Sequence, residues 1–173
     1  MVLFLIPKSG PKTYPHKYND EAWNLTRGLP DDVRSGFDNL PWSKKEAISV
    51  DSIFKSKGLH DNIFMGKQAT EEKFKSLDGN APEVLHISTH GFNLANVLRM
   101  YSRVEMGSTD TQYKNFLSQS GLLFAGANKA WKDFKHGEHN DGILTSREIT
   151  QLDLSRCKLA VLSACKSAMG ERE

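Results

Sequence analysis

Hydrophobic residues recur along the chain at two spacings, which predict helices alternating with strands. Helices are expected after Ser43 and Thr70, ending near Gly58 and Gly79, and again after Thr145. Both Ser43-x-x-Glu46 and Thr145-x-x-Glu148 fit a capping box. Short apolar runs predict strands at Val2–Ile6, Asn62–Met65, Val84–Ser88, Leu122–Ala125 and Leu159–Ser163. A further helical period covers Leu94–Glu105, whereas the polar stretch Ala127–Asp141 is expected to be an exposed loop.

Strands that alternate with helices are typical of βαβ units. We therefore expect an α/β fold with a mainly parallel sheet and helices on both of its faces. Five of the six prolines precede residue 42. That bias predicts an irregular segment or linker over residues 1–40 and one domain over residues 41–173.

Composition argues against several classes of protein. The 23 basic and 21 acidic residues leave a net charge of +2, so no basic surface favours a nucleic-acid partner. Val2–Ile6 is too short for a membrane span and lacks the flanks of a signal peptide. Cys157 and Cys165 are too few for a disulfide scaffold or an all-cysteine zinc site. We expect a reduced, cytoplasmic protein that binds neither membrane nor nucleic acid.

Two predicted strands lead into residues capable of catalysis. Val84–Ser88 runs into His90 and Gly91, and Leu159–Ser163 runs into Cys165. The carboxyl ends of parallel strands share one edge of a sheet, so His90 and Cys165 would meet there. A cysteine thiolate can attack a carbonyl, and a histidine can carry the proton. The backbone N–H groups of Gly91 and Cys165 could hold the oxyanion. Either side chain could instead be purely structural.

Three segments, in order, carry a family resemblance: His86-Ile-Ser-Thr-His90-Gly91, Asp141-Gly-Ile-Leu-Thr-Ser-Arg-Glu-Ile149 and Leu162-Ser-Ala-Cys-Lys-Ser-Ala-Met-Gly170. They match the patterns H-x-[AST]-T-H-G, D-G-x-L-[ST]-x-x-E-[IL] and L-S-A-C-x-[ST]-x-x-G. From about residue 40 to residue 173, the chain resembles the CHAT family, which comprises caspase-like cysteine peptidase domains related to separases and caspases.

The resemblance implies a three-layer caspase-like fold and a cysteine endopeptidase without metal or other cofactor. His90 would be the catalytic histidine and Cys165 the nucleophile, cleaving a protein or peptide substrate through a thioester. Ser163 would line the pocket for the residue before the cut, and its neutral side chain implies no charge preference. Such domains are often joined to tetratricopeptide repeats, so a repeat or regulatory protein is an expected partner.

The chain departs from the caspase pattern in two ways. His90 and Cys165 are 75 residues apart, against about 50 in caspases. Residues 93–120 would then be an insertion, either a tolerated surface loop or a lid. The chain also ends eight residues after Cys165. We therefore expect the domain to be incomplete at its C-terminus, with the missing half as a partner and with low activity or self-association when isolated.

Other interpretations remain open. His86 and His90 are spaced as in zinc-binding helices, but on a strand they would lie about 13 Å apart, so we expect His86 to be packed or hydrogen-bonded. His136, Glu138, His139 and Asp141 could bind a metal but favour a solvated loop. The whole chain could instead be a non-catalytic scaffold, the inactive half of a processed peptidase, or a hydrolase of small amides.

Overall fold

The computed structural model describes residues 2–4, 36–94, 117–133 and 140–165. Its strands are β1 (Val2–Phe4), β2 (Asn62–Phe64), β3 (Val84–Asn93), β4 (Ser120–Leu123), β5 (Ile143–Thr145) and β6 (Leu159–Cys165). Its helices are α1 (Pro41–Ser56), α2 (Glu71–Lys75), α3 (Ala127–Asp133) and α4 (Ser146–Ile149), with a 3₁₀ turn at Gly66–Gln68. The α/β class and all five predicted strands are confirmed, although β3 runs on past Ser88 to Asn93. The helix predicted at Leu94–Glu105 lies outside the described residues.

The sheet is mixed, so the prediction of a mainly parallel sheet is wrong. Strands β3 and β6 are parallel. The pairs β1–β2, β1–β3, β3–β4 and β4–β5 are all antiparallel. A helix between two strands does not fix the direction in which the second strand returns. Although α3 separates β4 from β5 in sequence, the two strands lie side by side and antiparallel.

The two faces of β3 meet different surroundings, because successive side chains of a strand point to opposite sides. Leu85 and Ile87 belong to an apolar cluster that includes Phe74 and Leu77, both almost fully buried. His86 instead contacts α1 through a hydrogen bond to Glu46. One face of β3 therefore anchors the core, while the other carries polar residues toward α1.

Helix α1 starts earlier than predicted, and the expected capping box at its start is wrong. The helix begins at Pro41, whose fixed φ suits a first turn, and Leu40 at the N-cap position makes no side-chain capping bond. Ser43 and Glu46 consequently lie inside the helix and face β3. The helix ends as predicted near Gly58, whose φ of +69° is one that glycine adopts readily.

The second predicted capping box, at the start of α4, is confirmed. The Thr145 hydroxyl accepts a bond from the Glu148 N–H at 3.2 Å, and the Glu148 carboxylate accepts one from the Thr145 N–H at 2.9 Å. Glu148 also pairs with Lys75 at 2.7 Å, and Lys75 pairs with the buried Glu71. Burial raises the pKa of Glu71 to about 7, against the opposing effect of Lys75. The Gly142 N–H donates to this carboxylate at 2.8 Å, which links the turn before β5 to α2.

The loop predicted at Ala127–Asp141 is wrong in its first half, which forms α3. Ala127, Ala130 and Trp131 recur at helical spacing and are buried in a second apolar cluster with Phe92 and Ile143. Two of these three positions are alanines, which are only weakly hydrophobic, so the mean hydropathy of the stretch is polar and the helical pattern was missed. His136, Glu138 and His139 of the predicted polar cluster lie outside the described residues.

Candidate active site

Strands β3 and β6 bring His90 and Cys165 to paired positions. The parallel register runs from Val84 opposite Leu159 to His90 opposite Cys165. Neighbouring strands lie about 4.8 Å apart, and paired residues of a parallel ladder share one face of the sheet. The two residues therefore occupy adjacent positions on the face that also carries His86. This juxtaposition could serve a reaction that needs a nucleophile and a proton carrier.

His90 also marks the point where β3 changes partner. Its pairing with β6 ends at His90, and its pairing with β4 begins at Gly91, which is opposite Leu122. Both residues therefore lie within β3. The sequence had suggested that they would follow the end of the strand.

A main-chain carbonyl orients the His90 ring. The Nε2 atom lies 2.6 Å from the carbonyl oxygen of Asp38. A carbonyl can only accept, so Nε2 must carry a hydrogen and donate it. In the neutral ring, Nδ1 is then the basic nitrogen. The Phe37 ring lies beside the imidazole, with 5.4 Å between the ring centroids. Together these contacts select one tautomer and one orientation of the half-buried ring.

Helix α3 holds the segment that supplies this carbonyl. The Asn128 side chain accepts from the Phe37 N–H at 2.7 Å and donates to the Phe37 carbonyl at 2.9 Å. The Trp131 ring meets the Phe37 ring edge-on, with centroids 4.8 Å apart. Sequence reasoning missed Asp38 and Asn128, because a role carried by a backbone carbonyl leaves no mark on residue type. Only a tertiary contact reveals them: the bond between Phe37 and Asn128 joins residues that are 91 positions apart in the sequence.

A second polar group lies one step along the strands, around Glu46 of α1. One carboxylate oxygen is bonded to His86 Nε2 at 2.9 Å, and the other accepts from the Ser88 hydroxyl at 2.7 Å. Ser163 on β6 lies near enough to this carboxylate that its hydroxyl helps to lower the pKa of Glu46. His86 is thus a hydrogen-bonded strand residue, as its position in the sequence suggested. The Glu46 carboxylate spans both strands that carry the candidate dyad.

Partial burial on its own raises the pKa of the Glu46 carboxyl, but the hydrogen bonds from Ser88, His86 and Ser163 outweigh it. The net effect places its pKa below the ordinary value, because each of these bonds stabilises the ionised form. The Glu46 side chain nevertheless remains 34% exposed. An ionised and partly accessible carboxylate therefore stands next to the candidate site.

Ser163 is paired with Ser88, two residues before Cys165 and on the same face of the sheet. It is exposed, whereas Ser88 is buried. These positions suit the substrate-binding role predicted for Ser163, and the N–H groups of Gly91 and Cys165 lie near the change of strand partner. The roles themselves stay predictions.

Residues 36–94, 117–133 and 140–165 hold no group of three or more histidine, cysteine, aspartate or glutamate side chains arranged to bind a metal. Among the described helices, none combines the length and the apolar character that crossing a bilayer requires.

The chain was also compared with known proteins. A family model, described as the CHAT domain, matches residues 8–173. That match covers nearly the whole chain and includes the segment around Phe37 and Asp38. Searches of curated proteins and of solved structures gave no match.

Proposed function

The chain belongs to the CHAT family, and from that premise we propose that it is a caspase-like cysteine peptidase with His90 and Cys165 as its catalytic dyad. The observation that carries the proposal is the parallel register that pairs these two residues on neighbouring strands. We include in the proposal the three-layer fold of caspase-like enzymes, since α1 contacts one face of β3 and the cluster around Phe74 covers the other.

The tautomer of His90 suits the first chemical step. With Nε2–H donated to the Asp38 carbonyl, Nδ1 can take the proton of the Cys165 thiol. The resulting thiolate attacks the substrate carbonyl, and the carbon–oxygen double bond opens to an oxyanion. The N–H groups of Gly91 and Cys165 would stabilise this oxyanion.

Collapse of the tetrahedral intermediate breaks the carbon–nitrogen bond. The proton held on Nδ1 passes to the leaving amine, and a thioester to Cys165 remains. Water then adds to the thioester with His90 as the base, and a second collapse releases the acid and restores the thiol. The positive charge that develops on the ring during each transfer is stabilised by the Asp38 carbonyl, which accepts from Nε2–H in both charge states. A reducing compartment such as the cytoplasm would keep the thiol available.

Labelling with a thiol-directed peptide probe tests the dyad directly. A peptidyl acyloxymethyl ketone should modify Cys165 and not the second cysteine, Cys157, whose sulfur is close to the Leu159 carbonyl at 3.3 Å. Cys165→Ala should abolish labelling, His90→Ala should slow it by at least about 100-fold, and Cys157→Ser should leave it unchanged. Label that persists in Cys165→Ala would reject the assignment.

A non-catalytic interaction module is the second candidate, favoured by the surface of β6. Leu159 and Leu162 are 53% and 58% exposed, which is unusual for large apolar side chains of a strand. Among the described strands, β6 pairs only with β3, so a partner segment can pair with its other edge. A folded protein that no peptide probe labels, but that captures another polypeptide through β6, would favour this function over the peptidase.

A further inference from the structure

Ser163, the neutral residue two positions before Cys165, does not by itself set the charge of the substrate pocket, because the Glu46 carboxylate of α1 lies at the same position on the sheet. We propose that Glu46 makes this site selective for a substrate with a positively charged side chain, arginine or lysine, immediately before the bond that is cut. This inference rests on the proposed peptidase function and adds the substrate class to it.

Strand geometry sets where that substrate side chain would lie. Residues two apart on a strand point to the same face and are separated by about 7 Å. Ser163 and its partner Ser88 are therefore one such step from the paired positions of Cys165 and His90. When the carbonyl carbon of the substrate meets Cys165, the residue before the cut lies close to the Ser88–Ser163 pair. A long side chain on that substrate residue can reach the pair. Glu46 accepts a hydrogen bond from Ser88 at this step, at 2.7 Å, and Ser163 is the residue paired with Ser88 on β6.

The Glu46 carboxylate can still take a ligand. A carboxylate has about four lone-pair positions, and its described partners are one imidazole and two serine hydroxyls. The serine hydroxyls carry no charge, and His86 offsets the carboxylate's charge only when its ring is protonated. The hydrogen bonds lower the pKa of the carboxyl, which keeps it ionised at neutral pH. With 34% of the side chain exposed, the charge is open to an incoming cation.

Among the described residues, Lys45 and Asp38 are two charged residues that bear on this field. Lys45 lies three residues after Trp42 on α1, and its ammonium group is over that ring, 4.1 Å from the centroid. Asp38, whose carbonyl meets His90, has an exposed side chain that adds negative charge to the same rim. A guanidinium or ammonium group would therefore be attracted, and a substrate carboxylate repelled.

A set of three probes tests the preference. Peptidyl acyloxymethyl ketones that differ only in arginine, glutamine or aspartate before the ketone are compared at pH 8, by the second-order rate of Cys165 labelling. The arginine probe should react about tenfold faster than the glutamine probe, the ratio expected for one ion pair at a partly exposed site. The aspartate probe should be the slowest. Cys165→Ala provides the blank.

Variants then assign the preference to Glu46. Glu46→Gln should bring the arginine-to-glutamine ratio to within about twofold, whatever its effect on the absolute rates. Adding Ser163→Asp to Glu46→Gln should restore the arginine preference, because it returns a carboxylate to the same step. Glu72→Gln, at an exposed position of α2, is the matched control and should keep the wild-type ratio.

Each outcome of these experiments supports or refutes the role of Glu46. Equal wild-type rates for the three probes, or an equal loss with all three in Glu46→Gln, would overturn the proposal while leaving the peptidase function intact. No labelling by any probe would reject the peptidase function and this inference with it. Should Glu46→Gln fail to fold, Ser163→Lys in the wild-type background places a cation beside Glu46. That variant should abolish the arginine preference, and a preference that survives it would equally refute the role of Glu46.

Discussion

Replacing Asn128 should weaken the orientation of His90 without touching the imidazole. The Asn128 amide holds both backbone polar groups of Phe37, through bonds of 2.7 and 2.9 Å, directly before the carbonyl that meets His90. Asn128→Ala removes both bonds. Asn128→Asp keeps an acceptor for the Phe37 N–H but sets a carboxylate oxygen against the Phe37 carbonyl. The two variants therefore form a graded series.

The expected magnitude follows from these two bonds. Each intramolecular hydrogen bond contributes about 0.5–1.5 kcal/mol net, so Asn128→Ala should lose about 1–3 kcal/mol of local anchoring. A free-energy change of that size raises the open population of the segment about 5- to 150-fold. Asn128 is exposed, so the lower part of this range applies and global stability should change little.

Two measurements check this prediction. Two-bond ¹H–¹⁵N correlation spectra report which ring nitrogen carries the proton. We expect the Nε2–H form of His90 in the wild type and exchange between tautomers in Asn128→Ala. The rate of Cys165 labelling should fall in the order wild type, Asn128→Asp, Asn128→Ala. Lys129→Ala, at the next exposed position of α3, should match the wild type in both assays.

A wild-type tautomer signal and a wild-type labelling rate in Asn128→Ala would refute the anchoring role. A uniform fall in melting temperature, with the tautomer unchanged, would assign Asn128 to stability alone.

Further predictions concern the elements that support the site. The pKa of Glu71 lies at about 7, above the ordinary 4.5. The folded protein therefore holds this proton more tightly than the unfolded chain does, and the stability that the carboxyl contributes is lost as pH rises from 4.5 to 7. At about 1.4 kcal/mol per pKa unit, the loss is up to about 3 kcal/mol. Urea denaturation at pH 5 and pH 8 should show Glu71→Gln as stable as the wild type at the lower pH and more stable at the higher one, whereas Glu72→Gln should show no such change; a constant difference would contradict this. Gly142→Ala should destabilise by about 2 kcal/mol or more, measured by the urea midpoint, since φ is +90° and a Cβ would lie 2.5 Å from the first backbone nitrogen of α3. Thr145→Val should cost about 1 kcal/mol by removing the side-chain acceptor for the Glu148 N–H, and an unchanged melting temperature would count against that role.

Two S/T-x-x-E segments show where local pattern stops being sufficient. Thr145 and Glu148 close a capping box as predicted, because their strand ends where the helix begins. Ser43 and Glu46 carry the same pattern, but the helix begins at Pro41, with Leu40 rather than Ser43 at the N-cap position. Their side chains then face β3, where Ser88 and His86 offer partners. The choice between capping and cross-element bonding depends on which groups lie nearby in space.

The candidate dyad was predictable and its support was not. His90 and Cys165 stand out because each comes directly after an apolar run in the sequence and few residue types can act as nucleophile or base. Asp38 contributes a carbonyl that any residue possesses, and Asn128 acts through contacts far away in sequence. Glu46 was visible only as a helix-capping residue, so the charge it brings to Ser163 could not be foreseen.

The sequence by itself determined the positions of five of the six described strands, the capping box at Thr145 and the identity of the candidate pair, since each depends on a residue and its near neighbours along the chain. The strand Ile143–Thr145 was not predicted. Only the tertiary structure decided the strand directions, the helical state of Ala127–Asp133 and the grouping of Glu46 with Ser88 and Ser163. Those outcomes depend on which apolar faces and polar groups meet across the fold. Such meetings are settled by the free energy of packing the whole chain, which no single segment contains.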